Sequence, residues 1–180
     1  MEIKETEKKI ERFLKKTRLQ WQIIVLTTVS VYGITLIYRL TTHSTTKALS
    51  YLRAINLISF VIALILAFTI FHLKRKYFRL RFFRQYLEDL SLKVSEIQVK
   101  EAAQNLTTFI GQKLKTVWYM GGALILLGVI YYWWTYDAWN MHVYFIVGLY
   151  SLMINYPRRD LFIDLPYIIH ETFKTEQKVQ

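Results

Sequence analysis

The side chains best suited to chemistry in this sequence are four histidines, His43, His72, His142 and His170, and a few ionisable groups beside long apolar runs. The haem of a four-helix membrane cytochrome needs two axial histidines facing one another at one depth. His72 closes one apolar run and His142 opens another of the same direction, so the two lie near opposite membrane faces and cannot share a haem. His43 with His142 has a workable depth, but His43 stands in a threonine-rich loop. No histidine falls within five residues of another, so zinc-ligand spacing is missing. No serine, histidine and acid form a local acyl-transfer motif. Gly121 and Gly122 lack the Lys and Ser or Thr that a phosphate loop needs, and close packing explains them better. With no cysteine, disulfides, thiolate metal sites and cysteine nucleophiles are excluded. A non-enzymatic protein without a cofactor is expected. The remaining ionisable groups gather in an outer polar cluster, Arg39, Asn56, Asp137 and His142, where Arg39 and Asp137 are placed to pair. A solvated cap accounts for such a cluster, because charges at helix ends reach water.

The elements that hold these residues follow from composition. Apolar residues make up 53% of the 180, aromatics 16%, and there are only 2 prolines. The apolar residues fall into charge-free runs at 19–38, 54–73, 116–136 and 138–157. At ~1.5 Å per residue each run is ~30 Å long, the thickness of a bilayer's hydrocarbon core. The runs do not alternate as barrel strands do. The expected fold is therefore all-α and polytopic, with four transmembrane helices in a bundle. A signal peptide does not fit the first run, whose flank carries Glu2, Glu5, Glu7 and Glu11 and which has no small-residue cleavage site.

Orientation follows from the basic residues outside the spans. The chain carries 24 Lys and Arg against 13 Asp and Glu, a net charge of +11. All but Arg39, Lys47 and Arg53 lie in 1–18, 74–115 or 158–180. These three segments, and both termini, are expected on the cytoplasmic face of an inner membrane (or the equivalent face of an organelle membrane). All five Trp fall at span borders, where an amphipathic ring is favoured. The Asn105-Leu106-Thr107 glycosylation pattern is placed inside by the same argument.

Lipid gives no hydrophobic drive between helices, so small and polar residues mark the packing faces. The four seams are Thr28, Tyr32, Thr35 and Arg39; Asn56, Ser59, Ala63 and Ala67; Gly121, Gly128, Tyr132 and Thr135; and Tyr144, Gly148, Ser151 and Asn155. Only residues 136–138 join the third and fourth spans, which makes them antiparallel neighbours. Basic and aromatic residues recur at like spacing before the first and third spans and after the second and fourth. Duplication explains this recurrence, and so does the tendency of such residues to collect at any cytoplasmic border.

The segment 74–115 is expected to form a basic helical hairpin. Leu80, Phe83, Leu87, Leu90, Val94 and Ile97 make one apolar seam at alternating spacings of three and four, open to a partner. Asn105 is a plausible cap for a second stripe, Leu106, Ile110 and Leu114, which runs into the third span. Lys74, Arg75, Lys76, Arg79, Arg81 and Arg84 crowd the hairpin's start, where anionic lipid of the cytoplasmic leaflet attracts roughly 1 kcal/mol per cation. Nucleic acid is the weaker reading, since no recognition motif accompanies them. Residues 1–18 extend the first span as an amphipathic helix. Residues 158–180 form an amphipathic tail, with Pro166 in the first turn of a helix beginning near Asp164; it either lies on the membrane or docks on the hairpin.

These features point to an accessory or interaction subunit that engages anionic lipid and another membrane or cytoplasmic protein, or a second copy of itself. The alternative is an oligomeric channel, transporter or permeabilising effector (or its inhibitor) lined by the polar seams, although rings of charge are absent from the spans. A third reading is a haem or quinone membrane anchor.

Overall fold

The computed structural model describes residues 3–42, 51–78, 80–93, 99–159, 162, 164–168 and 171, and the side chains of these except at 3–5, 80, 90–93 and 99–103. Among the described residues the regular structure is helical: α1 (Ile3–Thr41), α2 (Leu52–Tyr77), α3 (Leu80–Lys93), α4 (Val99–Thr135) and α5 (Ala138–Ile154). Helices α1, α2 and α4 are long and apolar enough to cross a membrane, which marks this as a membrane protein. The amphipathic N-terminal stretch is continuous with the first apolar run in α1, with no Pro or Gly before Gly33 to break it. The second stripe of the hairpin continues likewise into the third run in α4, which begins at Val99, so Asn105 lies inside this helix and does not cap it.

The fourth run is shorter as a helix than as a sequence. α5 has 17 residues and stops at Ile154, giving it about 25 Å. Asn155 leaves helical geometry with φ −103° and ψ 22°, and Pro157 biases the residue before it away from helix.

The chain divides into two compact units, Met1–Gln20, Leu73–Lys115 and Pro157–Gln180 in one, Trp21–His72 and Thr116–Tyr156 in the other. Their boundaries fall at the ends of the apolar runs. The first, basic unit has its own core, built from Ile10 and Leu14 of α1, Phe83 and Leu87 of α3, Leu106, Ile110 and Leu114 of α4, and Phe162, Leu165 and Ile168. The described residues of the tail therefore dock on their own chain. Phe162 meets Phe13 edge-on at 5.9 Å, and Ile168 N donates to Asp164 O as a helical turn around Pro166.

In the second, apolar unit α4 is central. About 56% of its apolar window is buried against 11% in α1 and in α2, so the latter two leave most of their surface for lipid. Glycines set the α4–α5 spacing. A Cβ on Gly148 would stand 2.6 Å from Ile125 Cγ1 and 2.8 Å from Gly121 O, and one on Gly128 would stand 2.9 Å from Tyr144 Cβ. Of the seams, Thr28, Thr35, Ser59, Tyr132, Thr135, Tyr144, Ser151 and Asn155 are buried. Tyr136 makes the turn between the helices in the left-handed region, φ 57°, a conformation that costs a non-glycine residue about 1 kcal/mol or more. Its ring packs edge-on against Tyr132 at 5.7 Å.

Candidate functional site

The outer polar cluster is brought together in the apolar unit as two separate networks. In one, His142 of α5 lies between two residues of α1. Tyr32 Oη is 2.7 Å from Nδ1, and Arg39 Nη1 is 2.8 Å from Nε2. A guanidinium can only donate, so Nε2 accepts, and the ring is the neutral Nδ1–H tautomer donating to Tyr32. The Tyr32 ring stacks on Phe145 at 3.7 Å, which holds its hydroxyl at the imidazole edge. Both ring nitrogens are thereby engaged by side chains of α1, and His43, the other histidine at this depth in the sequence, lies outside the described residues.

The second network surrounds Asp137. Its Oδ1 accepts from Trp139 N at 2.9 Å as the N-cap of α5, and its Oδ2 accepts from Asn140 Nδ2 at 2.8 Å. Tyr131 Oη donates to Asn56 Oδ1 of α2 and accepts from Asn140 Nδ2 at 3.3 Å. The expected pairing of Arg39 with Asp137 is not what forms: Arg39 turns to His142, and the carboxylate is occupied at its own helix start. Tyr32, Tyr131 and Asn140, which complete these networks, were not among the expected members. The only sequence signal for Tyr32 was its place seven residues before Arg39, on the same face of α1.

Deeper polar side chains differ in how they are bonded, and the buried Ser151 hydroxyl has no hydrogen-bond partner among the described residues. Thr28 and Thr35 donate to the carbonyls of Ile24 and Val31, and Ser59 Oγ meets Tyr144 Oη at 3.0 Å. The Ser59–Tyr144 bond joins α2 to α5, whereas the two threonine bonds lie within α1.

In the basic unit, the apolar seam of the hairpin is directed inward where it is described. Phe83 is 2% exposed and Leu87 0%, so this part is core and not open to a partner. The side chains of Leu80 and Leu90, and residues Val94 and Ile97, lie outside the described set, as does Arg79. The neighbouring aromatics form a cluster in which Phe109 stacks on Tyr86 and Phe82 at 5.1 and 5.9 Å. Lys113 Nζ lies 4.8 Å from the Tyr77 ring centre, a cation–π contact.

The cations of this unit fall into groups. Arg75, Lys76, Arg81 and Arg84 are exposed. Arg81 and Arg84 share a groove of about 430 Å³ with Asp164, Tyr167, Ile168 and Glu171, so carboxylates of the tail stand near them. Arg159 pairs with Glu11 at 3.3 Å, both side chains being largely exposed. Lys74 and Arg18 are half-buried. Arg18 Nε donates to Pro157 O at 3.3 Å, and burial first, then the charge of Arg158, holds the Lys74 ammonium below the usual lysine range.

Comparison with protein-family models, curated proteins and solved structures found no match. The arrangement can therefore be read only through its own chemistry: polar networks that join helices in one unit, and a dense field of exposed cations on the other.

Proposed function

We propose that this chain is a four-span protein of the inner (cytoplasmic) membrane with both termini on the cytoplasmic side, acting as a non-catalytic accessory subunit. Its basic unit engages anionic lipid and an acidic partner protein. The observation that carries this reading is the match between charge and compactness. Every Lys and Arg except Arg39, Lys47 and Arg53 belongs to the unit assembled from residues 1–20, 73–115 and 157–180. A charge bias of this sign is the usual mark of the cytoplasmic side, and a field of exposed cations attracts anionic surfaces over several ångströms in salt.

The partner surface is assigned to the exposed cations and not to the hairpin's apolar seam, because Phe83 and Leu87 are already used within the chain. Purification from a native source in mild detergent, followed by mass spectrometry, tests the reading. A partner protein is expected at constant ratio, held by contacts that weaken in high salt. Recovery of the chain alone, or retention of a partner regardless of ionic strength, overturns it.

A further inference from the structure

We infer that His142 and Arg39 form an acid-released latch between α5 and the end of α1. Arg39 Nη1 reaches His142 Nε2 at 2.8 Å, and Tyr32 Oη reaches Nδ1 at 2.7 Å. A guanidinium has no lone pair to offer, so the Arg39 bond exists only while Nε2 keeps its own. The ring is partly exposed, which gives a proton from solvent access to it. Taken up at Nε2, that proton turns the acceptor into a donor: the N–H···N bond is lost, and two positive charges face each other at contact distance. The Tyr32 bond survives, because Nδ1–H donates to the phenol oxygen in both states, and Tyr32 stays stacked on Phe145. Release is therefore confined to the chain beyond Tyr32. Gly33 follows directly, with nothing within 4 Å of a Cβ built on it, and a glycine leaves the backbone freest to bend. What else holds this stretch to α4 is uncharged: the Tyr38–Trp133 ring pair at 4.6 Å and a long bond from the Trp133 indole to Thr35 Oγ1, 3.4 Å.

Arg39 is the charge that acts on the His142 ring. The other titratable groups packed around this layer are the phenols of Tyr38, Tyr132 and Tyr136, and phenols as a class do not titrate between about pH 5 and 8. Tyr131 and the Asp137 carboxylate belong to the separate network with Asn140, and Arg53 of α2 is exposed. Histidine is thus the group of this layer whose charge changes near neutrality. On the proposed four-span topology the latch lies at the outer face and answers to acid there; the latch itself does not depend on that topology.

Spin labels on the full-length chain in detergent test it. The chain has no cysteine, so Leu40→Cys and Trp139→Cys, both at exposed positions, report the separation between the end of α1 and the start of α5. One narrow separation is expected near pH 8 and a longer, broader one near pH 5, with the change centred in the histidine range, about 6.5. His142→Gln should keep the narrow separation throughout, since its amide oxygen accepts from Arg39 and does not titrate. Arg39→Gln should also lose the response, because its amide oxygen can accept from a protonated ring. His43→Gln and His72→Gln should respond as the wild type does. Melting of the unlabelled protein is a second readout: the bond contributes fully while the ring is neutral and is lost as the pH falls, so the same acidification should lower the wild-type melting temperature by about 2–4 °C more than that of His142→Gln. A separation unchanged by acid, a response that persists in His142→Gln or Arg39→Gln, one abolished by His43→Gln, or an equal fall in melting temperature with and without His142 would each overturn the latch.

Discussion

Gly148 and Gly33 are both helical glycines within apolar runs, and the packing around them asks opposite things of each. A Cβ at Gly148 meets Ile125 Cγ1 at 2.6 Å and a backbone oxygen at 2.8 Å, whereas at Gly33 nothing lies within 4 Å. Gly148→Ala should therefore destabilise by about 1–3 kcal/mol through overpacking. Gly33→Ala should be neutral or stabilise by up to about 1 kcal/mol through helix propensity. Thermal melting in one detergent compares them, and equal effects would mean that α4 and α5 are not in such close contact. The tautomer of His142 is a second prediction at this scale. With Arg39 fixed as a donor to Nε2, ¹⁵N spectra of histidine-labelled protein near pH 8 should show an Nδ1–H ring, and Arg39→Gln should release that preference. The sequence identified the layer in which Arg39, Asp137 and His142 meet but not their partners. Depth follows from position in a run; pairing depends on rotation about each helix axis and on Asp137 lying just before α5, where a carboxylate serves the free backbone N–H groups.

At the scale of elements, the C-terminal end of α5 shows how side chains from other helices close a short helix. The last carbonyls of a helix lack partners within it, and in hydrocarbon each unpaired group costs several kcal/mol. Here Ser151 O accepts from Asn155 Nδ2 at 2.7 Å and Leu152 O from the Trp21 indole at 2.9 Å. Met153 O accepts from the Asn155 and Tyr156 amides, and Asn155 O from the Trp118 indole at 2.9 Å. Trp118→Phe keeps an aromatic ring but leaves a buried carbonyl unpaired and removes part of the buried volume, which should together cost at least about 1–3 kcal/mol. Trp21→Phe, at a partly exposed site, should cost less. Chemical or thermal denaturation of the two variants in the same micelle checks both the size and the order. Run length and composition were enough to anticipate α1, α2 and α4. The closure of α5 was not legible, because its donors lie 37 and 131 positions away in sequence. The same distance explains why Trp118 reads as an interface ring in the sequence yet is 0% exposed in the fold.

For the whole molecule the decisive quantity is the number of crossings, and α5 determines whether it is odd or even. Its 17 residues give about 25 Å, a few ångströms short of a ~30 Å core. Length is not the only constraint, however. Two residues, Tyr136 and Asp137, separate it from α4, so it must fold straight back. Contacts then run along its whole length in one register, Gly128 with Met141 and Tyr144, Gly121 with Gly148 and Leu152, and Trp118 with Asn155. The four-span proposal expects α5 to cross beside α4, with the shortfall met by local thinning at fractions of a kcal/mol per ångström. The chain contains no cysteine, so single cysteines report the outcome cleanly. Glu7→Cys, Arg84→Cys and Glu171→Cys should react with an impermeant maleimide from one face. Thr42→Cys and Trp139→Cys, both at exposed positions, should react from the other. With only three crossings, position 171 would label with 42 and 139 while 7 and 84 stayed together. That pattern would remove α5 from the membrane and place the cations from 158 onward apart from those of 1–18 and 74–115.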